Sequence, residues 1–179
     1  MSAVECEIRS FIEADKLAEL DARFRAEGEY LGEERQETHY FDCTQDLRIQ
    51  QSDSGAKLWL KRGALHDDAR EEIEIRCSRD DFSKLGEVFG ELGYGVEIKW
   101  FRHRRRYSWR GVKATLDSTK GYGDILELES LVSESERETA LAHLRELMAE
   151  LGIEPTSKEE FQRRYEEYKR EWKERVVEA

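Results

Sequence analysis

The sequence is poor in residues that cross-link a chain or divide it into segments. Its 179 residues include one proline and three cysteines. Cys6, Cys43 and Cys77 form no CxxC pair and are odd in number, which argues against a zinc ribbon or a disulfide framework and favours a reducing, cytoplasmic location. Because neither a low-complexity segment nor a flexible linker occurs, we expect one domain over residues 1–179.

Signals for membrane insertion and secretion are also missing. No run of about 18 apolar residues occurs, so we expect no association with a membrane through a spanning helix. The first residues, MSAVECEIRS, lack the basic and apolar regions of a signal peptide. Acidic residues number 41 against 30 basic ones, and the net charge is −11. This excess repels phosphates on average and disfavours nucleic acid as a general partner.

The sequence does contain a repeated strand pattern with one apolar and one charged side. The stretch VECEIRS, residues 4–10, alternates apolar residues with two glutamates and an arginine, a period of two that is typical of a β-strand. EEIEIRC, residues 71–77, and DILELES, residues 124–130, repeat it. Each copy precedes an amphipathic helical pattern that ends near a glycine, which predicts three strand–helix units.

Further strands and a last helix are predicted between and after these units. DLRIQQS (46–52), AKLWLKRG (56–63) and VKATLDS (112–118) alternate in the same way, whereas VEIKWFRHRRRYSW (96–109) breaks the alternation near Trp100. After the proline, we expect a helix over about residues 157–176. We interpret its aromatic residues as a stripe that faces either the core or a second copy in a homodimer; they are Phe161, Tyr165, Tyr168 and Trp172.

Two arrangements are compatible with such half-apolar, half-charged strands. The charged side can simply meet water and form cross-strand ion pairs. Alternatively, helices cover the apolar side of a curled antiparallel sheet, and the charged side lines its interior. Enclosed carboxylates repel one another and take up protons unless cations join them, and their oxygens suit Mg²⁺ or Mn²⁺. Enclosed arginines and lysines would bind a polyphosphate, which predicts metal-assisted phosphoryl or nucleotidyl transfer.

The order of the motifs resembles the CYTH family, the triphosphate tunnel metalloenzymes. The family's ExExK hallmark on the first strand corresponds to Glu5-Cys6-Glu7-Ile8-Arg9. The later matches, in order, are YFD (40–42), LRIQ (47–50), LWLK (58–61), an ExE at Glu72 and Glu74, RHRRRY (102–107), TLD (115–117) and GYGDILELE (121–129). Because the ordered set covers nearly the whole chain, it is far more specific than a lone ExExK.

The resemblance implies an α+β fold, an antiparallel eight-stranded β-barrel or tunnel with a charged interior and helices packed on the outside. It implies a divalent metal site formed by Glu5, Glu7, Glu127 and Glu129. It also implies phosphate contacts from Arg9, Arg48, Lys61, Arg102 and Arg104. The catalytic acidic wall that it implies, near a second ion or the attacking water, consists of Glu72, Glu74 and Asp117.

The sequence departs from the family pattern at several positions. Arg9 and Arg102 stand where lysine is usual, and Gln50 stands where the family often has an arginine, so one phosphate contact is missing or moved. The C-terminal Ser-Tyr element has no clean match in residues 157–172. The His-Phe element that precedes ExExK in class IV adenylyl cyclases is absent.

The resemblance implies an enzyme that acts with Mg²⁺ or Mn²⁺ on inorganic triphosphate, ATP or thiamine triphosphate. We expect a triphosphatase, a hydrolase, because the His-Phe element is missing and hydrolysis is the less demanding reaction. The alternative is a class IV adenylyl cyclase, a lyase that converts ATP to cyclic AMP and pyrophosphate. The layout of KLWLK (57–61) and GYGD (121–124) is slightly closer to the cyclase-type members.

A nucleic-acid-binding module is the least favoured function. RHRRRYSWR, residues 102–110, is basic with interleaved aromatics, but alternate residues of a strand face opposite ways, so half of them serve one surface. The acidic HDDAREE, residues 66–72, is interpreted as a loop. The histidines have no metal-ligand spacing and are expected at surface or turn positions; they are His39, His66, His103 and His143.

Overall fold

The computed structural model describes residues 3–61 and 72–178, and of Ala3, Lys61, Glu72 and Glu178 it describes the backbone alone. The strands are β1 (Ala3–Ile12), β2 (Glu29–Phe41), β3 (Asp46–Ser52), β4 (Gly55–Lys61), β5 (Glu72–Cys77), β6 (Val96–Trp109), β7 (Val112–Thr119) and β8 (Gly123–Ser133). The α-helices are α1 (Ala14–Glu27), α2 (Asp81–Glu91), α3 (Arg137–Glu150) and α4 (Lys158–Glu178).

The strands form a single antiparallel sheet in the order β1-β8-β7-β6-β2-β3-β4-β5. This confirms the expected α+β class with eight antiparallel strands. In the described residues no ladder joins β5 to β1, so the expected barrel or tunnel is here a curled sheet that is not closed. Closure requires a hydrogen-bonded ladder between the first and last strands of the sheet. Here β1 pairs with β8 along its whole length, and the six-residue β5 stays at the other edge.

Three helices cover one side of the sheet, called the outer face. α1 and α3 pack on β1, β6, β7 and β8 around a core that includes Phe24, Trp109, Leu126 and Leu144. α2 packs on β3 and β4 around a second core that includes Ile49 and Phe82. This confirms that helices pack outside an apolar sheet surface, because the alternate residues of each strand bury their aliphatic side chains there.

The opposite side is called the charged face and carries Glu7, Arg9, Arg104, Asp117 and Glu127. β7 is largely buried on both sides although α1 to α3 cover its outer side. The sheet therefore curls around the charged face, as the enclosed arrangement requires, and the reading of a flat, fully solvated sheet is not borne out.

Helix α4 lies against the charged face rather than the outer face. Phe161 packs on Phe11 with ring centroids 4.7 Å apart. The Tyr168 hydroxyl donates to the Lys99 carbonyl at 2.8 Å, and the Trp172 indole N–H donates to the Glu97 carbonyl at 2.8 Å. The aromatic stripe of this helix therefore faces the core of the same chain.

The sequence predicted neither a disulfide framework nor a membrane-spanning helix. The three cysteines are free thiols. Among the described helices, none combines the length and the apolar character that a bilayer crossing demands.

Candidate functional site

The strand register brings residues from distant parts of the chain into rows across the charged face. Glu7 on β1 lies opposite Glu129 on β8, and Arg9 lies opposite Glu127. Since side chains of neighbouring strands at opposed positions point to the same side, β1 and β8 contribute one acidic wall. Across β7, the same rows continue to β6.

The centre of the charged face is an ion cluster around Asp117. The carboxylate of Asp117 accepts two bonds from the Arg104 guanidinium, at 2.8 and 2.5 Å, and one from Arg102 at 3.3 Å. Arg102 also donates twice to the Gln36 side-chain oxygen, at 3.0 and 2.7 Å. Asp117 is buried and both arginines are partly buried. The cluster therefore holds two guanidinium groups side by side at fixed orientations.

The two arginines differ in how the protein affects their charge. Burial lowers the pKa of Arg102, despite the attraction of Asp117, and the neighbouring Arg104 lowers it further. Burial also opposes the charge of Arg104, but its hydrogen bonds and attraction to Asp117 outweigh this and raise its pKa. Arg102 thus carries a poorly compensated positive charge, which an anion on the charged face would stabilise.

The negative charge of Glu127 is poorly compensated by its surroundings. Part of its surface reaches solvent, but protein atoms surround it on most sides, and this desolvation raises its pKa to about 7. Repulsion from Glu7 and Asp117 adds to the shift, and Arg104 and Arg9 oppose it. Glu127 therefore holds its proton to a higher pH than an ordinary glutamate does, as expected for enclosed carboxylates.

The other predicted metal ligands contact basic side chains. Arg9 pairs with Glu7 at 3.0 Å, and Lys113 pairs with Glu129 at 2.7 Å. Glu5 is exposed near the end of the row. In residues 3–61 and 72–178, no three acidic, histidine or cysteine side chains converge closely enough to hold a metal ion.

The chemistry of the wall nevertheless fits a hard cation. Carboxylate oxygens are the ligands that Mg²⁺ and Mn²⁺ prefer. Thr115 and Thr119, which flank Asp117 on the same side of β7, bury hydroxyl oxygens that have no partner within the described part of the chain. Since buried hydroxyls are normally hydrogen-bonded, the wall has unused capacity for polar ligands.

Two predicted phosphate-binding positions contact aromatic rings and acids. The Arg48 guanidinium forms two bonds to Asp46, at 2.5 and 2.6 Å, and lies 4.3 Å from the ring centroid of Tyr40. Arg9 lies 4.6 Å from the ring centroid of Phe161. Gln50, at the position where the family often has an arginine, is buried and donates to the Thr38 hydroxyl at 2.8 Å. Its role here is a hydrogen bond within the sheet.

The predicted acidic wall of Glu72, Glu74 and Asp117 is not assembled among the described side chains. Glu74 on the edge strand pairs with Lys57 and Arg76, at 3.0 and 2.8 Å, rather than with the Asp117 cluster. The physical reason is the sheet order, because β5 and β7 are separated by four other strands. The side chains of Lys61 and Glu72 lie outside the described residues, as do His66 and most of the HDDAREE segment.

The charged face also includes residues that the motif comparison does not single out. Lys113 and Thr115 could have been found from the alternation of VKATLDS, since both share the side of Asp117. Gln36 could not, because the sequence of β2 has polar residues at nearly every position and shows no period of two.

The basic segment RHRRRYSWR is divided between the two faces. Arg105 on the outer face donates to Asp21 at 2.6 Å, whereas Arg104 on the charged face binds Asp117. His103 contacts Glu33, and Arg110 contacts Glu150. The segment therefore offers no continuous basic surface, which argues further against a nucleic-acid-binding module.

Known proteins are similar to this chain in sequence and in fold. A family profile for the CYTH domain matches residues 3–161. A putative adenylate cyclase of Methanocaldococcus jannaschii is 31% identical over 85 residues, which are 47% of this chain and 47% of that protein. The chain thus matches about half the length of this relative.

Solved structures agree over a larger part of the chain. A conserved hypothetical protein of Pyrococcus furiosus is 26% identical with a TM-score of 0.66, covering 84% of this chain and 91% of its own. A putative adenylyl cyclase of Hippeastrum, described as revealing a dominant triphosphatase activity, is 22% identical with a TM-score of 0.62. That match covers 88% of this chain and 93% of the other, and it shows a common fold.

Proposed function

The chain belongs to the CYTH domain family, and on that premise we propose that it is a divalent-metal-dependent enzyme that hydrolyses the terminal phosphate of a triphosphate. The observation that carries this proposal is the pair Arg102 and Arg104, held by Asp117 in the concave charged face beside Glu127. Guanidinium groups at fixed orientations match phosphate oxygens in pairs. Carboxylates beside them provide the place for a cation that neutralises the rest of the phosphate charge.

Glu7, Glu127 and Glu129, with Glu5 at the end of the row, would hold Mg²⁺ or Mn²⁺. The ion, when bound, would polarise phosphoryl oxygens and offset their negative charge. Because Arg9 and Lys113 already contact these carboxylates, metal binding requires that both basic groups turn away. Arg9 would then be available to bind phosphate oxygens.

Asp117 would act mainly as a positioning residue for the two arginines, since both of its oxygens accept bonds from them. Arg48 and Lys61 are proposed as contacts for the more distant phosphates. For Arg48 this requires partial release from Asp46. Glu72 and Glu74 remain proposed participants that act from the edge strand.

A second candidate reaction is the conversion of ATP to cyclic AMP and pyrophosphate. It is supported by the relative from Methanocaldococcus jannaschii, which is named a putative adenylate cyclase. The two reactions use the same bound triphosphate but differ in the attacked phosphorus, the terminal one for hydrolysis and the α-phosphorus for cyclisation.

The two reactions are separated by their products. The protein is incubated with ATP, and separately with inorganic triphosphate, in the presence of Mg²⁺ or Mn²⁺, and the products are resolved by chromatography. We expect orthophosphate from inorganic triphosphate. Cyclic AMP and pyrophosphate from ATP would identify the cyclase instead, and the absence of turnover with either ion would contradict both proposals.

A substitution tests the metal-binding wall. We expect Glu7→Gln to lower metal-dependent turnover by about 100-fold, because it removes one charged ligand at the position where transition-state charge is stabilised. The melting temperature should stay near that of the wild type. Glu33→Gln is the matched control, since Glu33 is exposed and contacts His103 on the outer face. Full turnover of the Glu7 variant would exclude a metal-binding role for Glu7.

A further inference from the structure

The outer face carries an open groove of about 670 Å³ between the core under α1 and α3 and the core under α2. Outward-facing residues of β2, β6 and the end of β7 line it, among them Arg35, Phe101 and Lys120. Their sequence neighbours Gln36 and Arg102 bond to each other on the charged face. The lining of this groove, called the outer groove below, also includes Gln36, Arg102 and Thr119, so the groove reaches the margin of the Asp117 cluster.

The outer groove concentrates basic groups that have no acidic partner. Arg35, Arg79 and Lys120 line it, and in the part of the chain that the structure describes none of them forms an ion pair. This differs from the rest of the molecule, where most arginines contact carboxylates. In a chain with a net charge of −11, three basic groups without acidic partners around one cavity are poised to bind an anion.

The acidic residues of the outer groove are mostly engaged elsewhere. Glu37 accepts bonds from His39 and Gln51, at 2.7 and 2.8 Å. Asp53 accepts the backbone N–H of Arg35 at 3.0 Å. Asp124 is the remaining carboxylate in the lining. The lining therefore holds three carboxylates beside the three basic groups, and among the described residues none of these carboxylates forms an ion pair with Arg35, Arg79 or Lys120.

Phe101 adds an apolar surface to this charged cavity. Its ring is partly buried but belongs to neither of the two cores described above. The backbone N–H of Lys120 donates to the Phe101 carbonyl at 2.9 Å, and both residues line the groove. A phenyl ring beside basic groups can stack against a planar group whose anionic part the basic groups bind.

We propose that the outer groove is a second ligand site, for a small phosphorylated molecule with a planar ring, of the nucleoside monophosphate class. Arg35, Arg79 and Lys120 bind the phosphate, and Phe101 stacks on the base. The volume lies within the range of about 300–1,000 Å³ that is typical of small-molecule sites. Its phosphate-binding groups Arg35, Arg79 and Lys120 are not members of the Asp117 cluster, although Gln36 and Arg102 of that cluster also line the groove.

The test is a calorimetric titration of the full chain with AMP as the probe, in the presence of a metal chelator. We expect saturable binding at one site per chain. The double variant Arg79→Gln/Lys120→Gln should weaken it at least about tenfold, because it removes two charge-assisted contacts. The matched control is Arg76→Gln/Lys84→Gln, which removes the same charge from exposed positions paired with Glu74 and Asp81.

Binding in the outer groove is distinguished from binding on the charged face by one more variant. Arg104→Gln should leave AMP affinity within about twofold while it weakens the binding of inorganic triphosphate. No saturable binding of AMP would overturn the proposal. Two other results would also overturn it. The first is a loss of AMP affinity in Arg104→Gln but not in Arg79→Gln/Lys120→Gln. The second is an equal loss of AMP affinity in the control Arg76→Gln/Lys84→Gln. Melting curves of all variants verify that each is folded.

Discussion

Asp117 and Glu127 lie on neighbouring strands of the charged face, but their surroundings differ. Asp117 accepts bonds from two arginines, at 3.3 Å from Arg102 and 2.5 Å from Arg104. Glu127 has lost much of its hydration and has Glu7 as a neighbour, so its proton is retained up to about neutral pH. The two carboxyl groups can therefore play different roles in one reaction, Asp117 as the acceptor that fixes two arginines and Glu127 as the group that exchanges a proton or binds a cation.

The residue-scale prediction concerns stability as a function of pH in the absence of metal. The folded-state pKa of Glu127 is raised from its ordinary 4.5 to about 7, so between these values the folded state holds a proton that the unfolded state has lost. This proton stabilises the folded state at low pH, and the contribution disappears as pH rises towards 7. The unfolding free energy of the wild type relative to Glu127→Gln should therefore fall between about pH 5 and 7, by about 3 kcal/mol at most.

Urea denaturation of both proteins at several pH values in a chelating buffer measures this difference. The comparison with the glutamine variant removes the effect of titrating groups that lie away from the cluster, so that the difference reports on Glu127 together with the neighbours that interact with it. A difference that stayed constant or rose with pH would mean that Glu127 is ionised throughout the range.

At the scale of the element, α4 is the helix whose position matters most for the charged face. Arg164 lies 4.1 Å from the Phe11 ring centroid, and Tyr168 packs on Trp100 and Tyr122. The end of the helix meets the β7–β8 turn, where the Arg175 guanidinium donates to the Gly121 carbonyl at 3.5 Å. The helix thus covers part of the charged face next to Arg9, so its docking limits which ligands reach that end.

The element-scale prediction compares two glycines in turns. Gly121 and Gly111 both have positive φ, 71° and 78°, and either alanine variant should lose about 1 kcal/mol of stability from backbone strain. A Cβ at Gly121 would also lie 2.8 Å from the Arg175 Cβ, whereas nothing lies within 4 Å at Gly111. Gly121→Ala should therefore lose about 1–3 kcal/mol more than Gly111→Ala in urea denaturation. Equal losses would show that α4 does not rest on this turn in solution.

At the scale of the whole molecule, the sheet has a protected middle and a weakly covered edge. β6 is paired on both sides, with β2 and β7, and β7 is buried on both faces. β5 pairs on one side with β4, and the side chains of Ile73 and Ile75 on its outer face are 44% and 56% exposed. The helix cover thus ends before the sheet does.

The whole-molecule prediction is a gradient of hydrogen exchange across the sheet. Amides of β5 should exchange faster than those of β7, because local opening of an edge strand exposes little apolar surface. Mass spectrometry of peptides covering residues 72–77 and 112–119 measures the two rates. Equal protection of both segments would indicate that β5 has a second partner in solution and that the sheet closes.

Residues of the site could be predicted from the sequence where their strand alternates apolar and charged residues with a period of two. Glu7, Arg9, Asp117, Glu127 and Glu129 could all be assigned to one face from the sequence, because their strands alternate strictly. β2 could not be recognised in this way. Its outer face is polar at Arg35 and Glu37 because that surface lines the outer groove, where no helix requires apolar partners. The sequence of β2 lacks alternation because both sides of this strand carry polar residues.

The sequence by itself determined which residues can share the charged face, because alternate side chains of a strand must point to opposite sides. It also determined the family, because the motifs occur in order along nearly the whole chain. The tertiary structure decided which groups touch, such as Gln36 with Arg102, which are 66 residues apart. It likewise decided that α4 lies over the charged face, that the sheet is not closed among the described residues and that burial raises the pKa of Glu127. These properties depend on strand register and burial, which arise only when distant segments pack together.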